Sequence, residues 1–183
     1  MCSAESRRSC PSTKRRAPSS GPFLWEKTVS YGGGTGRGPA AIIDASRNVE
    51  LFDEELWLDT SRIGIHTLPA LDVSLPLESL HHTIYLEAKR LLDSGKFLCS
   101  LGGEHALSGP IVKAFSEKFS GLSVLQIDAH ADLRDTYDDT PYSHACAMRR
   151  ALEYCPRGAG WHSIDLRGRD RGAAVAEYQD LLR

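Results

Sequence analysis

Three residues with metal-binding side chains occupy alternate positions in the segment Asp128-Ala129-His130-Ala131-Asp132. The segment follows residues 122–127, an apolar run with the composition of a buried strand. In an extended backbone, residues two apart point to the same side, so the three side chains can converge on one small volume. Carboxylate oxygens combined with an imidazole nitrogen suit borderline divalent ions such as Mn, Fe, Co, Ni or Zn. The pattern predicts a transition-metal site, although aspartates here could also simply cap a following helix.

A second segment favours the metal interpretation. The apolar residues 97–101 predict another short buried strand, which runs into Gly102-Gly103-Glu104-His105. The glycine pair lets the backbone turn tightly and pass close to neighbouring groups. Ligands of open parallel α/β sheets bind outside the carboxyl ends of strands, so two neighbouring strands could bring His105 into the same crevice as the first three residues. His144, in Tyr142-Ser143-His144-Ala145 at the start of a predicted helix, is a further candidate.

The elements between these motifs alternate between helix and strand. Apolar residues recur at helical spacing over residues 77–92, and Gly95 would end that helix. His81 and His82 lie on it and are expected to be structural or exposed. A Gly-rich loop leads into a short helix near Pro39, since proline is tolerated in a first helical turn. Further strands are predicted near 97–101 and 122–128, and further helices near 108–119 and 143–154. This order predicts an α/β fold with a mainly parallel sheet.

The composition is that of an ordinary globular chain of 183 residues, with 41% hydrophobic residues and a formal net charge of -2. The near-neutral charge argues against general nucleic-acid binding, and no run of about 18 apolar residues predicts a membrane span. We predict a disordered basic tail over residues 1–22 and one domain over residues 23–183. The Arg- and Ser-rich tail also has features of a mitochondrial transit peptide, so both a cytoplasmic and a mitochondrial location are open.

The five cysteines show no Cys-x-x-Cys spacing and predict neither a disulfide framework nor a zinc finger. Cys99 lies in a predicted apolar strand and is expected to be buried. Cys146 stands two residues after His144, and a Cys–His nucleophile is conceivable. Closeness in sequence is weak support for such a pair, because nucleophile and base usually meet through the fold.

Together the motifs resemble those of a known family. Gly-Gly-Glu-His at 102–105, Asp-Ala-His-Ala-Asp at 128–132 and Tyr-Ser-His-Ala at 142–145 resemble successive signatures of the ureohydrolases, the arginase and agmatinase family, and are most similar to agmatinases. Gly-Pro-Ala-Ala-Ile at 38–42 is also similar to a segment of that family, and the match covers residues 28–155. The resemblance implies a partial three-layer α/β/α arginase-like fold with a mainly parallel sheet, in which residues 23–183 form the N-terminal portion of a ureohydrolase domain.

The resemblance also implies a site and a reaction. The implied site is a binuclear metal centre, usually manganese, with these ligands: His105, Asp128, His130 and Asp132. His144 would be a proton-transfer or substrate-side group. The implied reaction is hydrolysis of a guanidino compound, agmatine and water giving putrescine and urea, by a water that the metal pair activates. The implied partners are a small guanidino substrate such as agmatine and further copies of the chain in a homo-oligomer, with no nucleic acid and no membrane.

The last part of the sequence departs from the family pattern. Family members continue into a strand bearing Ser-x-Asp-x-Asp, whose aspartates complete the metal pair, and into a later acid that helps to hold the guanidinium. The final acids here, which form no such pair, are Asp165, Asp170, Glu177 and Asp180. An alternative expectation is therefore a truncated, catalytically impaired isoform or fragment that binds metal weakly or associates with a full-length partner. A closed structural metal site is a third alternative, but it gives His144 no role.

Overall fold

The computed structural model describes residues 19–155 and 161–165. In chain order, the strands and helices are β1 (Ser19–Phe23), α1 (Gly38–Ala45), β2 (Phe52–Asp53), β3 (Leu58–Asp59), β4 (His66–Thr67), α2 (Leu77–Asp93), β5 (Leu98–Gly102), α3 (Ser108–Lys118), β6 (Val124–Asp128), α4 (Ala147–Tyr154) and β7 (Trp161–Asp165). Short 3-10 turns at His105–Leu107 and His144–Cys146 lead into α3 and α4. The predicted helices and strands are therefore present close to their predicted positions.

The strands form two parallel sheets and one hairpin. β1 lies between β4 and β5 and runs parallel to both. β6 pairs in parallel with β7, and Asp128 lies in register with Asp165. β2 and β3 form the antiparallel hairpin. The expected α/β class with a mainly parallel sheet is confirmed, but β5 and β6, expected to be neighbours, belong to different sheets among the described residues.

Helix α2 supplies the centre of the largest hydrophobic cluster. Leu80 and Ile84 are fully buried in one cluster with Trp25. Gly95 follows the helix with a φ of 73°, a left-handed conformation that glycine adopts without strain, and its N–H donates to the carbonyl of Leu92 at 2.9 Å. The predicted end of the helix is thus confirmed. In the described part of the chain, no helix combines the length and apolar character that a bilayer span requires.

Strands β5 and β6 are less buried than their apolar sequences suggested. Leu125 and Ile127 are each 60% exposed, whereas Gln126 between them is buried. Val124 packs against Met148 and its neighbours, so helices cover one face of β6, and no described residue covers the other face. Cys99 of β5, which we expected to be buried, is exposed. The physical reason is that successive side chains of a strand point to opposite faces, and the exposed ones lie on the face that no described element covers.

The amino-terminal strand begins earlier than the domain boundary that we predicted. Residues 19–22 fall in the predicted disordered tail, yet they belong to β1, and Pro22 is buried. Proline lacks a backbone donor and is unfavourable between two strands. It is accommodated because β4 pairs only with Ser19 and Ser20, and beyond them Pro22 needs no donor: its carbonyl accepts the N–H of Leu71 at 3.2 Å. The tail and transit-peptide predictions for residues 1–18 lie outside the described residues.

His81 is buried in the core between two aromatic rings. Its ring centroid lies 5.3 Å from that of Trp25, edge to face, and 4.6 Å from that of Tyr142. The residue is 8% exposed, whereas the next one, His82, is exposed, as expected. Burial lowers the pKa of His81 from 6.5 to about 4, because the imidazolium would lose its hydration there, and a hydrogen bond to the Tyr142 backbone opposes this only in part.

Acidification is expected to destabilise the fold through His81. In the unfolded chain His81 titrates near 6.5 and in the folded chain at about 4, so between these values the unfolded state binds more protons. The free energy of unfolding therefore rises with pH across this window, by at most about 3 kcal/mol. The contribution of His81 to the free energy of unfolding is complete above 6.5, the pKa of His81 in the unfolded chain. It is lost as the pH falls toward about 4, the pKa of His81 in the folded chain.

Denaturant unfolding of the wild type and of His81→Phe at about pH 8, 5.5 and 4 measures this contribution. The phenylalanine variant should lose that part of the pH dependence, while His82→Phe, which changes the exposed neighbour, should keep it. An identical pH dependence in His81→Phe and the wild type would exclude His81 as the group responsible.

Candidate metal centre

Three of the predicted ligands converge beyond the carboxyl ends of β5 and β6. His105, Asp128 and Asp132 each offer a ligand atom, and these atoms all lie within 4.8 Å of one another. Nδ1 of His105 lies 2.5 Å from Oδ2 of Asp132 and 3.5 Å from Oδ2 of Asp128. All three residues are partly buried. Two carboxylates and an imidazole are a donor set that fits a borderline divalent ion such as manganese.

Asp132 reaches this cluster through a turn and not through an extended strand. β6 ends at Asp128, and Asp132 has a φ of 51°, a left-handed conformation that aspartate tolerates better than most residues. The Asp132 carbonyl accepts hydrogen bonds from the N–H groups of Met148 at 3.0 Å and Arg149 at 3.1 Å, which fixes the residue at the start of α4. The prediction of an extended backbone from 128 to 132 is therefore wrong, although two of its three side chains do meet.

His130 lies on the outside of the same turn. Its side chain is 74% exposed, with Nδ1 3.7 Å from Oδ1 of Asp128. Its N–H donates to that Asp128 oxygen at 2.9 Å, and its carbonyl accepts from Nε2 of Gln126 at 3.0 Å. Because the chain bends directly after β6, the imidazole turns away from the three converging groups. A role for His130 as a ligand, through a second ion beside Asp128, stays a prediction.

His144 stands on the turn that precedes α4, and this turn contacts the one that carries His105. Its Nδ1 lies 3.4 Å from Oγ1 of Thr28 and 3.3 Å from Oγ of Ser143. Its Nε2 lies 3.5 Å from Oγ of Ser30. The imidazole is therefore surrounded by hydroxyl groups and lies outside the three-residue cluster. Its proton-transfer role stays a prediction.

Comparison with known proteins identifies the family. The model of the arginase family matches residues 22–183, nearly the whole chain. The chain belongs to the arginase family. The match also reaches beyond residues 28–155, over which the motifs carried the resemblance.

Curated relatives of this arginase-family chain include two kinds of ureohydrolase. The chain is 39% identical over 132 residues to the N(1)-aminopropylagmatine ureohydrolase of Thermus thermophilus. This alignment covers 72% of this chain and 45% of the relative. It is 36% identical over 135 residues to the agmatinase of Bacillus anthracis, with the same two coverages of 72% and 45%. The chain therefore spans a little under half the length of these curated relatives.

Solved structures show the same fold. The agmatine ureohydrolase of Thermoplasma volcanium aligns with a TM-score of 0.70 at 30% identity, over 82% of this chain and 50% of that one. The formiminoglutamase of Trypanosoma cruzi, crystallised with Mn²⁺, aligns with a TM-score of 0.77 at 22% identity, over 93% and 59% of the two chains. The expected arginase-like α/β fold is confirmed.

Glu104, a buried carboxylate beside the metal cluster of this arginase-family chain, was not identified as functional from the sequence. Glu104, the residue before His105, is only 6% exposed. Its Oε2 accepts hydrogen bonds from the backbone N–H groups of Lys27 at 3.1 Å and Thr28 at 2.9 Å, and its Oε1 accepts from Oγ1 of Thr28 at 2.8 Å. The only signal in the sequence is an acid after two glycines, since Thr28 lies 76 residues away.

A second carboxylate organises the Gly-rich loop of the family segment. Glu26 accepts hydrogen bonds from the N–H groups of Gly34 at 2.6 Å and Gly36 at 2.8 Å. These two bonds, with Gly36 the larger cause, lower the pKa of Glu26 because they stabilise its charged form. Thr35 donates in turn to the carbonyl of Gly103 at 2.6 Å. The loop is thereby tied to the end of β5, close to the metal cluster.

Cys146 is not suited to nucleophilic chemistry in this site. The residue is fully buried, and its thiol donates to the carbonyl of Thr140 at 3.9 Å. Burial raises the pKa of Cys146, so the thiolate that a nucleophile requires is disfavoured. The Cys–His interpretation is therefore unsupported.

Proposed function

We propose that this chain carries the metal-binding part of a binuclear manganese hydrolase of guanidino compounds, agmatinase-like, which converts agmatine and water to putrescine and urea. The observation that supports this most is the convergence of His105, Asp128 and Asp132 within 4.8 Å in an arginase-family chain. The names of the curated relatives, agmatinase and aminopropylagmatine ureohydrolase, support a guanidino substrate. Assembly into homo-oligomers and a cytoplasmic or mitochondrial location belong to the same proposal.

In this proposal, one group of residues binds the metal ions and another residue transfers protons. His105, Asp128 and Asp132 would hold one ion, and His130 beside Asp128 would contribute to a second. When bound, the manganese pair supplies Lewis-acid activation of water. Asp128 and Asp132 would bind as carboxylates, because ligand oxygens must be free of their protons to hold a metal ion.

His144 is the candidate for proton transfer in this reaction. An imidazole ordinarily titrates nearer neutral pH than any other side chain, so it can both accept and return a proton. Its turn contacts the turn of His105, which places it beside the metal ligands without making it one of them. It would therefore deliver a proton to the amine that leaves as the guanidinium carbon is attacked.

Metal content and urea release test the proposal together. Protein purified with manganese is expected to retain about two ions per chain and to release urea from agmatine. His105→Ala should lose both properties, whereas His66→Ala, which removes an exposed histidine outside the cluster, should lose neither. One ion or none per chain, with no urea, would overturn the hydrolase proposal and leave the family assignment unchanged.

The open face of β6 favours a second candidate, a chain that binds metal weakly and associates with a full-length family member. Leu125 and Ile127, each 60% exposed, form an apolar strip beside the metal ligands. Apolar side chains that are exposed together on one surface promote association with other chains. This candidate predicts less than one ion per isolated chain and co-elution with a full-length agmatinase on size-exclusion chromatography. Independent elution of the two proteins would exclude it.

A further inference from the structure

We infer that the cavity between α2, α3 and α4 is a second ligand site, which binds a small organic anion through its carboxylate or phosphate group. The cavity has a volume of about 190 Å³. One water molecule occupies about 30 Å³ in the liquid, so a ligand of several heavy atoms fits. None of the lining residues belongs to the metal cluster. The inference therefore does not rest on the proposed function.

Lys113 of α3 brings a cation without a carboxylate partner to this cavity. Its ammonium lies 4.5 Å from the ring centroid of Tyr85 and 5.5 Å from that of Tyr154, and both rings line the cavity. No ion pair joins Lys113 to an acid among the described residues, and the exposed Glu117 is bound to Lys89 and Tyr85 instead. Ring faces stabilise a cation without neutralising it, so Lys113 can bind an anionic ligand.

Arg150 of α4 is a second cation, and its Nε–H has no acceptor. Its Nη2 lies 2.5 Å from Oδ1 of Asp135 and 3.0 Å from Oε1 of Glu153. Nε of the same guanidinium is buried and has no hydrogen-bond partner in the described part of the chain. Buried polar atoms without partners are uncommon in folded proteins, and a bound anion would supply one here.

Two phenol groups add neutral hydrogen-bond donors. Tyr142 lies before α4 and Tyr154 at its end, and both line the cavity. Neither hydroxyl has a hydrogen-bond partner within the described ranges. Burial raises the pKa of Tyr154, so its hydroxyl keeps its proton at neutral pH. Both hydroxyls can therefore donate to a ligand oxygen.

The balance of charge in the cavity favours an anion over a cation. Lys113 and Arg150 face a single lining acid, Glu78, which is exposed. A carboxylate or phosphate accepts hydrogen bonds from ammonium, guanidinium and phenol groups alike, and bonds to charged donors are the stronger ones. A cationic guanidino compound would meet two like charges. The ligand of this cavity is thus of a different class from the substrate of the proposed reaction.

Aromatic rings form the walls that would contact the organic part of the ligand. Ligand sites are typically lined by such rings, with a few polar groups that fix the orientation. The lining rings belong to Tyr85, Tyr142 and Tyr154. Nε2 of His81, another lining residue, is buried without a partner and can form a further hydrogen bond. An anion attached to a flat apolar group fits this combination best.

NMR titration of metal-free protein with benzoate and with phenyl phosphate, at constant ionic strength, tests the site. Both probes are flat anions, and the one that binds more tightly identifies the preferred charged group. We expect saturable ¹H–¹⁵N shifts at lining residues such as Gly109 and Tyr142, with a dissociation constant of about 1 mM or lower. Benzamide, the neutral analogue of benzoate, should bind at least about tenfold more weakly, because it lacks the charge-assisted hydrogen bonds.

Two variants assign the binding to the cavity. Lys113→Met keeps a side chain of similar length between the two tyrosine rings and should weaken benzoate binding by about tenfold or more, as for one charge-assisted hydrogen bond. Tyr154→Phe removes one hydroxyl and should weaken it by about twofold to tenfold. Lys118→Met is the matched control, since Lys118 lies on the same helix, pairs with Asp93 and does not line the cavity. It should bind as the wild type does.

Three results would overturn the inference. They are the absence of saturable shifts with both anions, equal affinity for benzamide and benzoate, and wild-type affinity in Lys113→Met. The same spectra show whether each variant is folded, and if Lys113→Met is not, Tyr154→Phe and the benzamide comparison decide. Because neither metal nor agmatine is added, a chain that releases no urea can still bind the anion. Failure of the proposed function and failure of this inference are therefore distinguishable.

Discussion

Replacing Asp132 by asparagine is expected to lower the affinity for manganese by more than about 100-fold, because residues that merely support metal ligands already contribute about 10- to 100-fold. The change removes the carboxylate that lies 2.5 Å from Nδ1 of His105. Asparagine tolerates the left-handed φ of 51° as well as aspartate does, and the carbonyl that accepts the N–H groups of Met148 and Arg149 is unchanged. The substitution therefore removes the charge of the ligand without changing the backbone of the turn.

Asp139→Asn is the matched control for this prediction. Asp139 lies in the same loop, is exposed and has a φ of 59°, but it is outside the ligand cluster. Manganese titrations followed by calorimetry should show wild-type affinity for Asp139→Asn and a large loss for Asp132→Asn. If the two variants bound manganese equally well, Asp132 would not be a ligand.

Replacing Gly103 by alanine is expected to destabilise the fold by about 3 kcal/mol or more, the upper range for overpacking a closed site. A Cβ atom at this position would lie 1.9 Å from the carbonyl oxygen of Trp25 and 3.1 Å from Cα of Gly36. Both are backbone atoms, so no change of rotamer can relieve the clash. The N–H of Gly103 also donates to the carbonyl of Phe23 at 3.1 Å, which prevents the chain from simply moving away.

Urea unfolding followed by tryptophan fluorescence measures this effect. Gly38→Ala provides the control, since a Cβ at the first residue of α1 would meet nothing within 4 Å, and a neutral or slightly stabilising effect is expected. Manganese binding should fall together with stability in Gly103→Ala, because His105 lies two residues further along the chain. A free energy of unfolding within about 0.5 kcal/mol of the wild type would show that the backbone can yield at Gly103.

Features with local causes could be predicted from the sequence. Helix α2 follows from its apolar periodicity, and Gly95 ends it because glycine adopts a positive φ without strain. The grouping of His105 with Asp128 and Asp132 follows from the tendency of parallel strands to present ligands at their carboxyl ends. The helix and its end have causes within a few residues, whereas the ligand grouping follows a general rule for parallel strands.

Features set by distant contacts could not be predicted. No spacing in the sequence indicates that Glu104 forms hydrogen bonds with Thr28. An acidic residue after two glycines would have the same sequence pattern if its side chain faced solvent. The turn that carries Asp132 inward depends on carbonyl bonds to α4, which an alternating pattern does not encode. The hairpin of β2 and β3 could not be predicted for a local reason, because its two-residue strands are too short to show the alternation of a half-buried strand; the rings of Phe52 and Trp57 meet in it edge to face at 5.4 Å.

The ligand cluster joins two sheets that share no strand pair among the described residues. His105 follows β5 of one sheet, and Asp128 ends β6 of the other. A cation held by both would act as a non-covalent crosslink between the two halves of the fold, so that metal uptake and folding would become a single equilibrium. At a free manganese concentration about 100 times the dissociation constant, this linkage adds about 2.7 kcal/mol to the stability. The fraction of folded protein in a cell would then follow the supply of manganese in its compartment.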